Sequence, residues 1–175
     1  MIYLDHAATS YPKPDVVLDA VTKWFRYVGV SPDRGDGPRT RSCAETVQRA
    51  RRAIADRTGH RADRVAFCSG ATEGLNLALR ALATPGSHVL TTYYEHSSVV
   101  RPLTAMTVAR DLRVTRSRST EDMCRRLAEG EGDLVVMTHA SNVTGALLDA
   151  DSVAAAARAR GGPMILDASQ TAGYV

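Results

Sequence analysis

The chain has 175 residues, of which 44% are hydrophobic and 23% are charged, and its formal net charge is +3. This composition excludes a largely disordered or collagen-like protein, and the longest apolar runs are far shorter than the roughly 18 residues that a membrane span needs. Because the charge is nearly balanced and the arginines are spread along predicted helices, a nucleic-acid-binding stripe is excluded as well.

The first 41 residues are predicted to form an N-terminal segment that contains one helix and one loop. Apolar positions at helical spacing predict the helix over Pro14–Val28. Residues 29–41 hold three glycines and two prolines, which is typical of an exposed loop. A second helix is expected over Ser42–Thr58, with Ser42 as its N-cap.

From residue 65 onward, short apolar runs alternate with helical patterns. Strands are predicted over Val65–Ser69, His88–Tyr93, Arg113–Ser117, Leu134–Thr138 and Met164–Asp167, and helices over Ala71–Ala83, Ser98–Ala109, Thr120–Glu129 and Ala150–Arg160. This βαβαβαβαβ order predicts an α/β fold, a three-layer αβα sandwich with a mainly parallel sheet, over residues 42–175. Because the chain stops directly after a strand and a turn, we expect this domain to be incomplete and to need a continuation or a partner chain.

The three cysteines, Cys43, Cys68 and Cys124, lie far apart and are odd in number. This spacing predicts neither a disulfide framework nor a CxxC metal site, and no metal is expected. We interpret the cysteines as reduced, buried thiols. The first residues lack the pattern of a secretory signal, so a cytoplasmic location is expected.

Ligands of open parallel sheets bind beyond the carboxyl ends of the strands, so the polar residues that follow each predicted strand are the candidates for a site. After the first run, Gly70 precedes the start of an amphipathic helix. Exposed N–H groups, the helix dipole and the Thr72 hydroxyl together suit a phosphate group. The alternative, with about equal support, is that Thr72 and Glu73 only cap the helix.

Three further strands are followed by polar residues. His96 follows the second run and is either a ligand-contacting group or a histidine with an ordinary structural role. Asn142 follows the fourth run and either fixes a ligand or forms an Asx turn. Asp167 ends the last run, where a buried carboxylate needs a cation or hydrogen-bond donors unless it caps the next turn. Because all four candidates fall at one edge of the predicted sheet, a ligand site there is favoured.

At this point the chain resembles a known family, the class V, fold-type I pyridoxal-phosphate enzymes, and within it the cysteine desulfurases and selenocysteine lyases. The resemblance rests on five runs in family order, which are Tyr3–Ser10, Ser69–Asn76, Glu95–Val99, His139–Gly145 and Leu166–Gly173. These runs extend over essentially the whole chain, and together they are highly specific.

The resemblance implies a site for pyridoxal 5′-phosphate. Ala71 and Thr72 would bind the phosphate, and His96 would stack on the pyridine ring as the catalytic candidate, also for proton transfer. Asp167 would pair with the ring nitrogen and Gln170 would hydrogen-bond the phenolic oxygen.

Further residues are implied on the substrate side of this site. Asn142 would contact the phenolic oxygen or the substrate carboxylate, and Ala7 and Ala8 would line the substrate pocket. Implied partners are an amino-acid substrate, L-cysteine first, a second copy of the chain or a C-terminal half chain, and a sulfur-acceptor protein.

The chain also departs from the family pattern. The family's Schiff-base lysine lies downstream of the aspartate, and this chain ends before that position. Lys13 and Lys23 lie in the N-terminal segment and the first helix, so neither takes its role. The C-terminal small domain, its arginine for the substrate carboxylate and the sulfur-accepting cysteine are missing too, and none of the three cysteines present matches the latter. Alone, this chain is therefore expected to bind the cofactor without a covalent bond and to be inactive.

Three functional hypotheses remain open from the sequence. The first is the N-terminal portion of a cysteine desulfurase-like enzyme, which converts L-cysteine to alanine and leaves persulfide sulfur once a C-terminal portion or a second chain is present. The second is a non-catalytic scaffold or regulatory protein derived from the same family, and the third is an unstable truncated product. Within the enzyme hypothesis, a class V aminotransferase, epimerase or lyase with another substrate is the alternative.

Overall fold

The computed structural model of the chain describes residues 2–174. These residues form two units, an N-terminal unit that extends to Phe67 and a C-terminal unit that begins at Cys68. The proposed boundary between residues 41 and 42 stays a prediction. Within the described residues, no helix combines the length and the apolar character that crossing a membrane requires.

The N-terminal unit contains two α-helices and one short 3₁₀ helix. These are α1 over Asp15–Tyr27, α2 over Pro38–Thr58 and the 3₁₀ helix over Ala62–Arg64. Both α-helices were predicted, but α2 begins at Pro38 rather than at Ser42. Gly37 is its extended N-cap, and Pro38 suits the first turn because the N–H that proline lacks has no partner there. The predicted capping role of Ser42 is therefore wrong.

The cysteines differ in burial, and one of them contradicts the prediction. Cys43 is buried in α2, and its thiol contacts the carbonyl oxygen of Val30 at 3.0 Å. Cys124 is half-buried, whereas Cys68 is exposed. All three are free thiols. Cys68 lies in a segment that is assigned to no strand among the described residues.

The C-terminal unit contains four strands and four helices. The strands are β1 over His88–Thr92, β2 over Arg113–Ser117, β3 over Leu134–Thr138 and β4 over Met164–Asp167. The helices are α3 over Ala71–Leu82, α4 over Ser97–Ala109, α5 over Thr120–Ala128 and α6 over Ala150–Arg160. All neighbouring strands are parallel, in the order β2-β1-β3-β4. The predicted α/β fold with its parallel sheet is confirmed.

The predicted first strand, Val65–Ser69, does not form among the described residues. Val65 has extended backbone angles, but the segment is assigned to no sheet. The side chain of Phe67 is 51% exposed. A short apolar run becomes a strand only when a neighbour accepts and donates its backbone hydrogen bonds, and the run itself does not identify that neighbour.

Two apolar clusters cover the two faces of the sheet. One cluster joins strand residues to α3 and α4, and its buried members include Leu75, Leu79, Val89, Val99, Leu103, Leu134 and Val136. The other joins the alternate strand residues to α5 and α6, and its buried members include Leu90, Met123, Leu127, Val135, Met137, Val153 and Ala157. Successive strand residues point to opposite faces, so a parallel strand between two helix layers is apolar throughout. The unit is thus the expected three-layer sandwich.

A buried polar network lies at the amino-terminal edge of the sheet. His88, the first residue of β1, is 4% exposed. Its Nδ1 accepts from the Gly132 N–H at 3.2 Å and from the Arg113 guanidinium at 2.9 Å. Nε2 therefore carries the hydrogen, and it donates to the Thr115 hydroxyl at 2.8 Å. The neutral form of the imidazole is the one that this network satisfies.

The pKa of His88 is lower than its ordinary value. Burial is the main cause, and the positive charges of Arg113 and Arg126 act in the same direction. The carboxylates of Glu131 and Asp133 oppose the shift but do not cancel it. Protonation of the folded protein at this position is therefore unfavourable.

We expect the free energy of unfolding to decrease as the pH falls below about 6.5, the ordinary histidine value. The unfolded chain binds the His88 proton more readily than the folded chain does. The contribution of His88 is therefore complete above that pH and is lost as the pH falls through the folded pKa. His88→Gln should remove this pH-dependent part of the free energy of unfolding. Urea unfolding followed by far-UV circular dichroism at about pH 7.5 and about pH 5.5 measures the change.

The matched control is His60→Gln, which replaces an exposed histidine. This control should keep the wild-type loss of stability at acid pH. An equal pH dependence in wild type and His88→Gln would contradict the prediction.

Candidate functional site

The predicted site residues of the C-terminal unit lie in loops at the carboxyl-terminal edge of the sheet. His96 follows β1, Asn142 follows β3, and Asp167 ends β4, so the parallel strand directions bring them to one edge. The start of α3 lies at the start of α4, because Asn76 Nδ2 donates to the Thr72 carbonyl at 2.8 Å and approaches the Ser98 carbonyl at 3.5 Å. The start of α3, which is the candidate phosphate site, therefore lies at the same edge.

The loop before α3 presents backbone N–H groups to solvent. Gly70 is the N-cap of α3, and no side chain caps the helix at this position. Glu73 Oε2 accepts from both the N–H and the hydroxyl of Ser69, each at 2.7 Å, and these bonds lower the pKa of Glu73. Glu73 thus holds the loop in place, although neither Thr72 nor Glu73 caps the helix. The Thr72 hydroxyl makes no hydrogen bond within residues 2–174, so Ala71 and Thr72 remain suited to an anion.

His96 is the N-cap of α4, and the helix start fixes the orientation of its ring. Nδ1 accepts from the Ser98 N–H at 3.2 Å and lies 2.8 Å from the Ser98 hydroxyl. Because a backbone N–H donates to Nδ1, the ring hydrogen lies on Nε2. The His96 side chain is exposed, whereas Ser98 is buried. A structural role and a ligand-contacting role are compatible here, since the cap uses one edge of the ring.

Asn142 lies in an exposed loop that other residues hold together. The Ser141 hydroxyl accepts from the N–H groups of Val143 and Thr144, each at 3.3 Å. Gly145 completes the turn with a φ of +71°, which favours glycine. The Asn142 amide makes no hydrogen bond with the rest of residues 2–174, so the turn belongs to Ser141 and is not an Asx turn.

Asp167 is the buried carboxylate of the site, with 8% of the residue exposed. It is aligned with Thr138 in the register of β3 and β4, and its carbonyl oxygen accepts from the His139 N–H at 2.9 Å. Oδ1 accepts from the Ser169 N–H at 3.0 Å and from the Ser169 hydroxyl. The turn after β4 therefore orients the carboxylate, and half-buried Gln170 lies in that turn.

Glu95 is a further residue at this edge, and the sequence reasoning missed it. Oε1 accepts from the Thr92 hydroxyl at 2.5 Å and from the Thr138 N–H at 2.9 Å. Burial raises the pKa of Glu95 above its ordinary value, and the charge of Asp167 adds to this effect, although the two hydrogen bonds oppose it. The available signal was a carboxylate in the short loop after β1, directly before His96.

Ala7 and Ala8 lie in the N-terminal unit. They belong to an exposed turn in which the N–H groups of Ala8 and Thr9 approach the Asp5 carbonyl at 3.2 and 3.3 Å. Their role as substrate-pocket residues stays a prediction. Among residues 2–174, no three His, Cys, Asp or Glu side chains are grouped as a metal ion would require.

Comparison with known proteins identifies one family over the whole described chain. The family model for aminotransferase class-V matches residues 2–174. A probable cysteine desulfurase of Pyrococcus abyssi is 26% identical over 184 residues, which cover 100% of this chain and 45% of the relative. The cysteine desulfurase IscS of Shewanella oneidensis is 32% identical over 189 residues, which cover 98% of this chain and 45% of the relative. The chain thus spans about half the length of the curated relatives it matches.

Solved structures share the fold. The apo structure of a cysteine desulfurase from Thermococcus onnurineus superposes with a TM-score of 0.90 at 23% identity, over 99% of this chain and 45% of that one. A cystine C–S lyase, C-DES, in complex with its product cysteine persulfide, superposes with a TM-score of 0.80 at 19% identity, over 99% and 48%. At these identities the likeness establishes the architecture alone.

Proposed function

The chain belongs to the aminotransferase class-V family, and from that membership we propose that it forms the cofactor-ring-binding portion of a pyridoxal-phosphate-dependent cysteine desulfurase. One observation carries the proposal, which is the buried Asp167 carboxylate at the carboxyl edge of the sheet, beside the uncapped start of α3 and the loop of His96. The relatives named as cysteine desulfurases support the choice of substrate class.

The residues at this edge fit the chemistry of pyridoxal 5′-phosphate. Ser169 donates twice to Oδ1 of the buried Asp167 carboxylate, and a protonated ring nitrogen would supply a further donor and the opposite charge. The open N–H groups at the start of α3 and the unbonded Thr72 hydroxyl suit a phosphate dianion. His96 has an exposed ring held in one orientation, which suits stacking on an aromatic ring.

Bound at this edge, the cofactor supplies an electron sink for the carbon atom of the substrate that loses a bond. Asp167 holds a proton on the ring nitrogen, which keeps the ring electron-poor. Gln170 donates a hydrogen bond to the phenolic oxygen, and Asn142 contacts either that oxygen or the substrate carboxylate. His96 stacks on the ring and is the candidate group for proton transfer.

The remaining parts of the proposed enzyme come from outside these residues. Lys13 and Lys23 are the lysines of the chain, and both lie in the N-terminal unit. A C-terminal portion or a second chain supplies the Schiff-base lysine and the sulfur-accepting cysteine in this proposal, and Ala7 and Ala8 line the substrate pocket. L-Cysteine, a second copy of the chain and a sulfur-acceptor protein are the partners. The free thiols suit a cytoplasmic location.

A non-catalytic scaffold is the second candidate. A scaffold has no need of a buried carboxylate, a fixed imidazole and an uncapped helix start at one sheet edge, which counts in favour of the enzyme.

Binding of pyridoxamine 5′-phosphate, which needs no lysine, tests the cofactor site. The purified chain should bind it in equilibrium dialysis, inorganic phosphate should compete, and Thr72→Val should weaken binding about 5- to 10-fold because one hydroxyl donor to the phosphate is lost. Thr104→Val, which replaces an exposed threonine of α4, should leave the affinity unchanged.

A second experiment distinguishes the enzyme hypothesis from the scaffold hypothesis. The chain is mixed with a C-terminal portion that carries the lysine, pyridoxal 5′-phosphate and L-cysteine, and alanine formation is measured. Alanine formation in the mixture supports the enzyme, whereas cofactor binding without turnover supports the scaffold. If wild type binds neither pyridoxamine 5′-phosphate nor inorganic phosphate, the proposed site is wrong.

A further inference from the structure

We propose that Glu95 is a positioning residue for the cofactor ring, because it fixes His96 and Asp167 relative to one another across the carboxyl edge of the sheet. This inference rests on the proposed function. Glu95 touches neither the proposed phosphate site nor the turn that orients Asp167, so its effect on a ligand would pass through the backbone.

The contacts of Glu95 join two adjacent strands at the point where each ends. Thr92 is the last residue of β1 and Thr138 is the last residue of β3. A single carboxyl oxygen, Oε1, accepts from the Thr92 hydroxyl at 2.5 Å and from the Thr138 N–H at 2.9 Å. The carboxyl therefore takes the place of a ladder hydrogen bond where the chain of β1 turns away into its loop.

The same two strand ends carry the proposed ring contacts. Glu95 is bonded covalently to His96, whose ring is fixed by the start of α4. Thr138 is the register partner of Asp167, and the next residue, His139, donates its N–H to the Asp167 carbonyl at 2.9 Å. A shift of the Glu95 carboxyl would thus move the stacking group and the ring-nitrogen partner relative to each other.

The second carboxyl oxygen of Glu95 lowers stability, so stability alone does not account for a glutamate at this position. Oε2 is buried and has no hydrogen-bond partner within the described part of the chain. A buried polar atom without a partner costs free energy, and an apolar side chain of similar volume would avoid that cost. Buried polar groups that do not add to stability are typical of functional sites, where a particular geometry is required.

The surroundings of Glu95 shift the pKa of its carboxyl upward. The titratable groups at this edge are Asp167 at the end of β4, His96 in the same loop and His139 after β3, whose Nδ1 lies 2.9 Å from the Thr171 hydroxyl. Burial, followed by the Asp167 charge, raises the pKa of Glu95. The geometric link between the two strand ends is the pair of hydrogen bonds that Oε1 accepts.

The test compares Glu95→Ala with Glu95→Gln in the full chain, using two probes of different chemistry. Pyridoxamine 5′-phosphate carries ring and phosphate, whereas inorganic phosphate reaches only the start of α3. Glu95→Ala should weaken binding of pyridoxamine 5′-phosphate about 10-fold or more, as loss of a supporting contact commonly does, and should leave the affinity for inorganic phosphate unchanged. Glu95→Gln keeps the accepting oxygen and should restore the wild-type affinity to within about 3-fold.

Matched controls are Glu45→Ala and Glu45→Gln, which replace an exposed glutamate of α2. Both should behave as wild type with both probes. If Glu95→Ala does not fold, Thr92→Val decides instead, because it removes the hydroxyl donor to Oε1 and should weaken the ring-containing probe alone. An equal loss of affinity for both probes, or no loss for either, overturns the inference.

A second measurement separates this inference from the proposed function. Amide hydrogen exchange of His139 reports the contact between the ends of β3 and β4, with or without a ligand. Exchange should be faster in Glu95→Ala than in wild type and unchanged in Glu95→Gln. If wild type binds neither probe, the proposed function fails, and unchanged exchange in Glu95→Ala then overturns the positioning role as well.

Discussion

Replacing Gly132 with alanine should lower the free energy of unfolding of the C-terminal unit by about 3 kcal/mol, from strain and overpacking together. Gly132 has a φ of +81°, a conformation that favours glycine. An added Cβ would lie 2.7 Å from Cγ and Cδ1 of Leu90, which is fully buried. Gly132 also donates to His88 and accepts from Arg160 Nε at 2.7 Å, so its backbone has little freedom to move away. Urea unfolding followed by far-UV circular dichroism measures the change.

Gly161→Ala is the matched control for this substitution. Gly161 has nearly the same φ, +80°, but an added Cβ would meet no atom within 4 Å. The control should therefore cost only the backbone strain, about 1 kcal/mol. If both variants lose the same stability, the contact with Leu90 contributes nothing and the prediction is wrong.

Replacing Asp167 with asparagine should weaken binding of pyridoxamine 5′-phosphate about 10- to 100-fold, which corresponds to ~1.4 to 2.8 kcal/mol. Asparagine keeps an oxygen that accepts from Ser169 but loses the charge that holds a proton on the ring nitrogen. Stability should stay within about 1 kcal/mol of wild type, because the hydrogen bonds of the turn are retained. Equilibrium dialysis and urea unfolding measure the two quantities.

The control is Asp151→Asn, which removes the charge of an exposed aspartate in α6 and should change neither quantity. A carboxyl-specific NMR titration adds an independent readout. Because the Asp167 charge contributes to the raised pKa of Glu95, Asp167→Asn should lower that pKa towards its ordinary value. Wild-type affinity in Asp167→Asn would refute the pairing with the ring nitrogen.

Most of the C-terminal unit could be predicted because short strand-like runs alternate with helical patterns, and the central strands β1 and β3 are buried on both faces. The bounds predicted for β2, β3, β4 and α6 are those of the structure. Apolar runs of strand length between amphipathic helices identify strands when helices cover both faces of a sheet. The prediction failed for Val65–Ser69, where the same kind of run has no partner strand, and at α2, where Pro38 rather than Ser42 starts the helix.

The sequence predicts those residues of the candidate site that lie at or after strand ends. It does not predict contacts that depend on which residues of neighbouring strands are paired. Asp167 ends β4, and His96 and Asn142 lie in the loops after β1 and β3, so sequence order places them at one edge. Glu95 bonds to Thr138, 43 residues further along the chain, and only the pairing of β1 with β3 brings these residues together. The hydroxyl of Ser141, rather than the Asn142 amide, holds the loop because both residues favour such turns and the sequence does not rank them.

The polar network of His88 lies at the amino-terminal edge of the sheet, opposite the edge that carries Asp167 and His96. Folding and chemistry therefore constrain different residues of the same strands. Substitutions in the carboxyl-terminal loops should therefore change ligand binding more than stability, whereas substitutions of Gly132 and His88 should change stability more than ligand binding.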